Sequence, residues 1–268
     1  RIAGSLLRRH GLQPGQRVGL VMKNCAEFLP ALYGIWRAGL TAVPINAKLH
    51  PKELAWILGN AEARLVLASP DLADTMSGLA GAGFPAVVVT ASRDWRDLVA
   101  GDPVQRAPTD PEDEAWLFYT SGTTGRPKGA VLTHRNLLFM CHCYYADIDM
   151  LGPGDTMLHA APLSHGAGLY GLAHIARGSN QVILPGGFEP DLVLDAFTRF
   201  GNVSMFAAPT MVVRLLNHGP TGAADTRGLK CIAYGGAPMY VADLKRGLEM
   251  LGPKLFQLYG QGEAPMTI

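Results

Sequence analysis

The chain has 268 residues, of which 48% are hydrophobic and 17% are charged. This composition supplies a core for one large or two small folded domains, and it excludes both intrinsic disorder and a mini-protein held by disulfides. Because 23 Lys and Arg face 22 Asp and Glu, for a net charge of +1, no overall field attracts nucleic acid or an anionic membrane. Any anion-binding site must be local.

Short runs rich in Val, Ile and Leu alternate along the chain with longer runs of helical period. This pattern predicts an α/β fold with mostly parallel sheets and helices packed on them in layers. The predicted strands are 17–22, 41–45, 64–68, 86–90, 115–120, 130–133, 156–160, 181–184, 203–207, 229–234 and 255–258. The clearest predicted helices are 26–38, 51–58, 190–200 and 241–251.

A stretch rich in Pro and Asp, GDPVQRAPTDPEDE at 101–114, is the best linker in the chain. We therefore expect a first α/β lobe at 1–100 and a second at 115–268. The strands on either side of the linker could still join common sheets.

The sequence gives no indication of a membrane span or a secretory signal. The longest uncharged stretch, 156–176, contains three histidines, a proline and several glycines, which favours a buried strand, loop and helix over a bilayer span. The opening residues RIAGSLLRRHG have too short an apolar core for a signal peptide. Four cysteines without a CxxC pair fit a reducing compartment, so we expect a cytoplasmic protein without membrane insertion.

The most informative segment is the loop after the strand that ends at Thr120. It is rich in glycine and hydroxyl groups and runs Ser121, Gly122, Thr123, Thr124, Gly125, Arg126, Pro127, Lys128, Gly129. Glycines let backbone N–H groups converge on an anion, the hydroxyls add donors, and Lys128 adds a full positive charge. Each hydrogen bond to a charged group contributes roughly 1.5–3 kcal/mol, so several could hold a polyphosphate. The alternative is an ordinary Gly/Thr-rich hairpin.

The loop is not a Walker A motif, because GxxxxGK[ST] does not occur and a strand follows it. Its pattern S-G-T-T-G-x-P-K-G closely resembles the phosphate-binding signature of the adenylate-forming superfamily, which includes acyl-CoA synthetases. Eight fixed positions give on the order of 10⁻⁶ chance matches for this composition. Weaker resemblances in the family's order are APLSHGAG at 161–168, YGGAPM at 234–239 and YGQGE at 259–263.

The resemblance implies a two-step reaction. A substrate carboxylate attacks the α-phosphate of MgATP to give an acyl-adenylate and pyrophosphate, and coenzyme A then takes the acyl group. Such chemistry needs positioning and fixed charges rather than a protein nucleophile. The expected ligands are therefore ATP, Mg²⁺, coenzyme A and a small carboxylic acid, with fatty acid metabolism as one context. The resemblance leaves two questions open: whether the protein is a homodimer, and whether the acyl acceptor is a carrier-protein thiol in place of coenzyme A.

The resemblance also assigns roles to residues. Lys128 and the loop from Thr120 to Thr124 would hold the β- and γ-phosphates, Glu263 would bind Mg²⁺, and His165 would orient the carboxylate or gate the thiol. The remaining nucleotide contacts are Gly235, Gly236, Ala237, Tyr259 and Gly260. Taken alone, each of these residues would more often be structural: a core tyrosine, a strand-to-helix turn, a solvated glutamate or a satisfied histidine.

One departure from the family pattern is Gly262, which stands where the family usually has a threonine. A hydroxyl that could touch the α-phosphate is missing, so we expect lower catalytic efficiency. The family's C-terminal domain, with its adenylation lysine, also has no counterpart before Ile268. We expect this chain alone to turn over poorly or not at all.

Two other functions remain as alternatives. A nicotinamide-dependent dehydrogenase would use the GxGxxG pattern at 166–171, but with 32 glycines roughly 0.45 such matches arise by chance. The chain could also be a nucleotide-binding module without catalysis.

Overall fold

The computed structural model describes residues 1–79, 84–120 and 126–265. The chain divides into two compact units, Arg1–Leu137 and Leu138–Ile268, called here the N-terminal unit and the C-terminal unit. Each is an α/β unit built around its own sheet. The predicted fold class, with mostly parallel sheets and layered helices, is confirmed.

The N-terminal unit contains a six-stranded sheet in the order β4-β3-β1-β2-β5-β6. Its strands are β1 (Arg17–Val21), β2 (Thr41–Ile45), β3 (Leu65–Ala68), β4 (Ala86–Val89), β5 (Glu114–Thr120) and β6 (Lys128–Thr133). Its helices are α1 (Ile2–Arg8), α2 (Phe28–Arg37), α3 (Pro51–Asn60), α4 (Ala73–Leu79) and α5 (Arg93–Ala100), and α6 (His134–Asp147) begins in this unit. All strand pairs are parallel except β5 with β6, which is antiparallel.

Local sequence explains the helix that matters most for the site, α3. Pro51 occupies its first position, and the His50 imidazole accepts a hydrogen bond from the Lys52 N–H while the Glu53 carboxylate accepts one from the His50 N–H. This reciprocal cap satisfies donors that the first helical turn leaves open. Leu54 and Ile57 then bury their side chains in a core that includes Leu117 of β5. Helix α3 is thus fixed against the strand that leads into the glycine-rich loop.

The C-terminal unit contains a five-stranded, fully parallel sheet in the order β11-β10-β9-β7-β8. Its strands are β7 (Thr156–His159), β8 (Asn180–Ile183), β9 (Val203–Ala207), β10 (Leu229–Tyr234) and β11 (Leu255–Gln257). Its helices are α7 (Gly166–Ala176), α8 (Pro190–Arg199), α9 (Pro209–Asn217) and α10 (Val241–Leu251). One core cluster joins the strands to α8, α9 and α10, with Phe197, Met205 and Leu215 buried in it.

All eleven predicted strands occur, most within one residue of the predicted bounds. The predicted start of β6 at Ala130 is wrong by two residues, because Lys128 and Gly129 already pair with Thr120 and Tyr119 of β5. The division in the structure lies elsewhere than the predicted lobe boundary, and the strands on either side of residues 101–114 do join one sheet. Residues 101–114 do not separate the units, since β5 pairs with β2 and completes the first sheet, and the division falls between Leu137 and Leu138.

Within the described residues, no helix combines the length and apolarity that a membrane crossing requires. The four cysteines form no disulfide; Cys141 and Cys231 are buried, whereas Cys25 and Cys143 are half-buried.

Candidate functional site

In the N-terminal unit, the candidate site is the hairpin end between β5 and β6. Thr120 lies opposite Lys128 and closes the antiparallel ladder, and Tyr119 lies opposite Gly129. Side chains directly opposite each other share one face of a sheet, so the side chains of Thr120 and Lys128 project from the same face. Lys128 is exposed and Thr120 is half-buried. The loop residues Ser121, Gly122, Thr123, Thr124 and Gly125 lie outside the described residues.

Gly129 has a structural role that the motif does not reveal. A Cβ at this position would lie 2.9 Å from the Tyr119 ring, closer than real Cβ atoms approach. The missing side chain lets the Tyr119 ring cross the neighbouring strand, on the face opposite Thr120 and Lys128. There the Tyr119 hydroxyl donates to the Asn60 Oδ1 of α3 at 2.7 Å. The last glycine of the motif therefore serves packing at the stem of the loop.

In the C-terminal unit, the candidate residues lie at one edge of the sheet. His165 follows β7, Gly235 and Gly236 follow β10, and Tyr259 follows β11. The strands are parallel, so their carboxyl ends meet at the same edge, where ligands bind in open α/β sheets. The topology thus brings together three segments that are distant in sequence.

His165 is the N-cap residue of α7, and its carbonyl oxygen accepts hydrogen bonds from the N–H groups of Gly168 and Leu169. Its Nδ1 lies 2.9 Å from the Oγ of Ser164, which is buried. Burial lowers the pKa of His165 below its usual value, so the imidazole is neutral at pH 7. It can orient a polar group by hydrogen bonding, but it does not supply a positive charge. Ser164 was not among the predicted site residues.

The glycine pair after β10 has two different functions. A Cβ at Gly235 would lie 2.6 Å from the Leu258 carbonyl oxygen, so this glycine allows close packing of the chain after β11. Gly236 has a φ of +86° with nothing near the position of a Cβ, a backbone conformation that favours glycine. Ala237 is exposed. The backbone at Gly236 and Ala237 is therefore open to an approaching ligand.

The segment after β11 carries the remaining predicted residues. Tyr259 is 64% exposed, so its ring is not a core residue, and Gly260 follows it. Glu263 lies in a tight turn, closed by two backbone hydrogen bonds between Gln261 and Ala264, and it is exposed. Mg²⁺ takes oxygen ligands, usually one or two carboxylates together with substrate phosphates, and an exposed glutamate fits that chemistry. Among the described residues, no three His, Cys, Asp or Glu side chains form a metal-binding group.

The GxGxxG pattern does not have the structure of a dinucleotide-binding turn. Gly166 and Gly171 lie within α7, which begins seven residues after the last residue of β7. A Cβ at Gly166 would lie 2.7 Å from the Phe206 ring, and one at Gly171 would lie 2.6 Å from the His159 ring. These glycines make room for neighbouring side chains, so the dehydrogenase alternative is not supported.

Comparison with known proteins agrees with this geometry. The model of the AMP-binding enzyme family matches residues 1–268. A feruloyl-CoA synthase of Amycolatopsis is 35% identical over 260 residues, covering 96% of this chain and 51% of the relative. A sulfoacetate–CoA ligase of Cupriavidus necator is 34% identical over 239 residues, covering 83% of this chain and 45% of the relative.

Among solved structures, ATP-bound MatB of Rhodopseudomonas palustris superimposes with a TM-score of 0.87 at 27% identity, covering 99% of this chain and 53% of that one. The chain spans about half the length of the curated relatives it matches.

Proposed function

The chain belongs to the AMP-binding enzyme family, and from this premise we propose that it forms the nucleotide-binding part of an ATP-dependent acid–thiol ligase. The proposed reaction activates a carboxylic acid as an acyl-adenylate and transfers the acyl group to the thiol of coenzyme A, with AMP as the leaving group. The similarity to two CoA ligases supports the choice of thiol.

The observation that carries this proposal is the S-G-T-T-G-x-P-K-G segment on the end of an antiparallel hairpin. The register of its stem supports this, because Thr120 and Lys128 are directly opposite each other and their side chains project from the same face of the sheet. A lysine about 4 Å from a phosphate charge contributes on the order of 4 kcal/mol at a surface-like dielectric. We assign Thr120, Ser121, Gly122, Thr123, Thr124, Gly125 and Lys128 to the β- and γ-phosphates.

In the first step, an oxygen of the substrate carboxylate bonds to the α-phosphorus, and the bond from that phosphorus to pyrophosphate breaks. Negative charge accumulates on the departing pyrophosphate. Lys128 would stabilise this charge, which makes it a catalytic residue in the proposal. A bound Mg²⁺, for which Glu263 would be the protein ligand, would neutralise further phosphate charge.

The C-terminal unit would contribute the groups that orient the adenylate and the acid. Tyr259 would stack on the adenine, and the backbone at Gly235, Gly236, Ala237 and Gly260 would pass close to the nucleotide. The neutral imidazole of His165 would orient the carboxylate by a hydrogen bond. The acid itself is left to experiment, because the relatives named above act on chemically different acids.

Ligand-induced stabilisation separates the candidate functions, because a ligand that binds only the native state raises the melting temperature. We expect MgATP to raise the melting temperature of the chain and NAD⁺ or NADH to leave it unchanged. A response to neither ligand would favour a structural module without nucleotide binding. Pyrophosphate exchange with a panel of aryl, acyl and short polar carboxylic acids would then identify the substrate class.

A further inference from the structure

Helix α3 contacts both ends of the glycine-rich loop. At the far end, the Trp56 Nε1–H donates to the Pro127 carbonyl oxygen at 3.3 Å, and the Arg126 guanidinium lies 4.8 Å from the centroid of the Trp56 ring. At the near end, Asn60 accepts the hydrogen bond of the Tyr119 hydroxyl at 2.7 Å. Trp56 and Asn60 are one helical turn apart and therefore share one face of α3.

The hairpin depends on this support because of its position in the sheet. Among the strands that the structure describes, β6 is the last in the sheet order and pairs with β5 alone. Val131 in β6 is 48% exposed, as expected for an edge strand. The ladder from β5 stops at Thr120 and Lys128, so Arg126 and Pro127 lie beyond its hydrogen bonds. Their contacts to Trp56 extend the support past the end of the ladder.

Helix α3 is itself rigidly held. Leu54 and Ile57 are fully buried, and the N-terminus is closed by the capping box of His50 and Glu53. Trp56 is only 38% exposed although it lies on the outer side of the helix. Contacts from such a helix can define where the two ends of the loop lie before any ligand arrives.

We propose that Trp56 and Asn60 of α3 clamp the two sides of the hairpin stem, at Arg126–Pro127 and at Tyr119, and thereby position Thr120 and Lys128 for the terminal phosphates of ATP. This inference rests on the proposed function of the loop. Trp56 and Asn60 are positioning residues, since they act through Tyr119, Arg126 and Pro127. The clamp holds the face of the hairpin opposite Thr120 and Lys128. A hairpin stem that is held in place before binding loses less conformational freedom on binding, which raises affinity without a new contact to the ligand.

The test compares Trp56→Ala, Trp56→Phe and a matched control, Leu192→Ala, in the full chain. Leu192 is 41% exposed on α8 and therefore similar to Trp56 in exposure. We expect Trp56→Ala to weaken MgATP binding at least fivefold by calorimetry. Trp56→Phe keeps a ring for Arg126 but loses the Nε1–H. Its affinity for MgATP should therefore lie between those of Trp56→Ala and the wild type. Leu192→Ala should bind MgATP like the wild type.

Hydrogen exchange without nucleotide gives an independent readout, because it follows the hairpin stem and not the ligand. We expect Trp56→Ala to exchange faster in peptides that cover residues 114–120 and 126–133, and Leu192→Ala to match the wild type. Unchanged exchange or unchanged affinity in Trp56→Ala would overturn the clamp while leaving the proposed function standing. If the wild type shows no saturable MgATP binding, the proposed function fails and the role of the clamp in nucleotide binding fails with it.

Discussion

The two units differ in the exposure of their titratable side chains. In the N-terminal unit, the core around α3 is apolar, and the candidate lysine is exposed on a hairpin end. In the C-terminal unit, titratable side chains lie inside: His159, His174 and Asp155 are buried beside the sheet. An exposed charge costs little folding free energy, whereas a buried titratable group makes stability depend on its protonation. Site chemistry in the N-terminal unit should therefore be separable from stability, and stability of the C-terminal unit should depend on pH.

The largest expected loss of unfolding free energy comes from a substitution in the C-terminal unit, and it tests whether the two units are destabilised separately. A Cβ at Gly228 would lie 2.0 Å from the Phe197 carbonyl oxygen, so Gly228→Ala forces the backbone of the C-terminal unit apart. We expect a loss of more than about 4 kcal/mol in the free energy of unfolding. Hydrogen exchange should show the loss in residues 138–265.

The control is Gly59→Ala in α3, where nothing lies within 4 Å of the added Cβ. It should stabilise the chain by about 0.5–1 kcal/mol. Equal loss of protection in both units of Gly228→Ala would show that they do not respond separately.

The next effect is the pH dependence of the C-terminal unit. Burial lowers the pKa of His159 to about 4 and that of His174 to about 3, from 6.5. Both are neutral in the folded state, so below pH 6.5 the unfolded chain takes up protons first. Stability is therefore lost as the pH falls from 6.5 towards 4 for His159 and towards 3 for His174. For His159 alone this difference corresponds to about 3 kcal/mol.

Urea unfolding at pH 7, 6 and 5 measures this loss. The double variant His159→Gln with His174→Phe should show a flatter dependence, and the exposed control His142→Gln should behave like the wild type. A double variant as pH-dependent as the wild type would contradict the assignment.

A third comparison uses one ion pair from each unit. Asp155 is 9% exposed in its side chain, lies 3.0 Å from the Lys230 ammonium and accepts the Gly152 N–H at 2.7 Å. We expect Asp155→Asn to cost about 2–3 kcal/mol, because it weakens a largely buried network. Glu114 binds Arg17 with both carboxylate oxygens, but each side chain is about one third exposed. Glu114→Gln should cost less than about 1 kcal/mol and respond to salt. Denaturant unfolding measures both variants. Equal losses of unfolding free energy in Asp155→Asn and Glu114→Gln would contradict this difference between the units.

The smallest expected loss of unfolding free energy comes from the packing of Tyr119 against Gly129 in the hairpin stem. Gly129→Ala would push the Tyr119 ring away from Asn60, at a cost of about 1 kcal/mol for the lost hydrogen bond. Because the two side chains compete for one space, Gly129→Ala combined with Tyr119→Ala should cost less than the sum of the single variants. Additive costs in a double-mutant cycle would show that Gly129 is not needed to accommodate Tyr119.

Much of both units could be predicted from the sequence, and the exceptions have a common cause. Strands at 41–45, 203–207 and 229–234 have their predicted bounds, because buried strands appear as short continuous apolar runs. The family could be recognised from the S-G-T-T-G-x-P-K-G segment because its residues are contiguous. The predicted lobe boundary differs from the observed division because the pairing of β5 with β2 depends on contacts far apart in sequence. The Trp56 contact to Pro127 joins residues 71 apart, so no local pattern indicates it.

The proposed function requires that the hairpin end bind the terminal phosphates of ATP through Lys128. The most direct measurement is a calorimetric MgATP titration of the wild type, Lys128→Ala and the exposed control Lys245→Ala. A lost hydrogen bond to a charged group should weaken binding by about 10- to 100-fold in Lys128→Ala, with an unchanged melting temperature and wild-type affinity in the control. Equal affinity of Lys128→Ala and the wild type would contradict the claim.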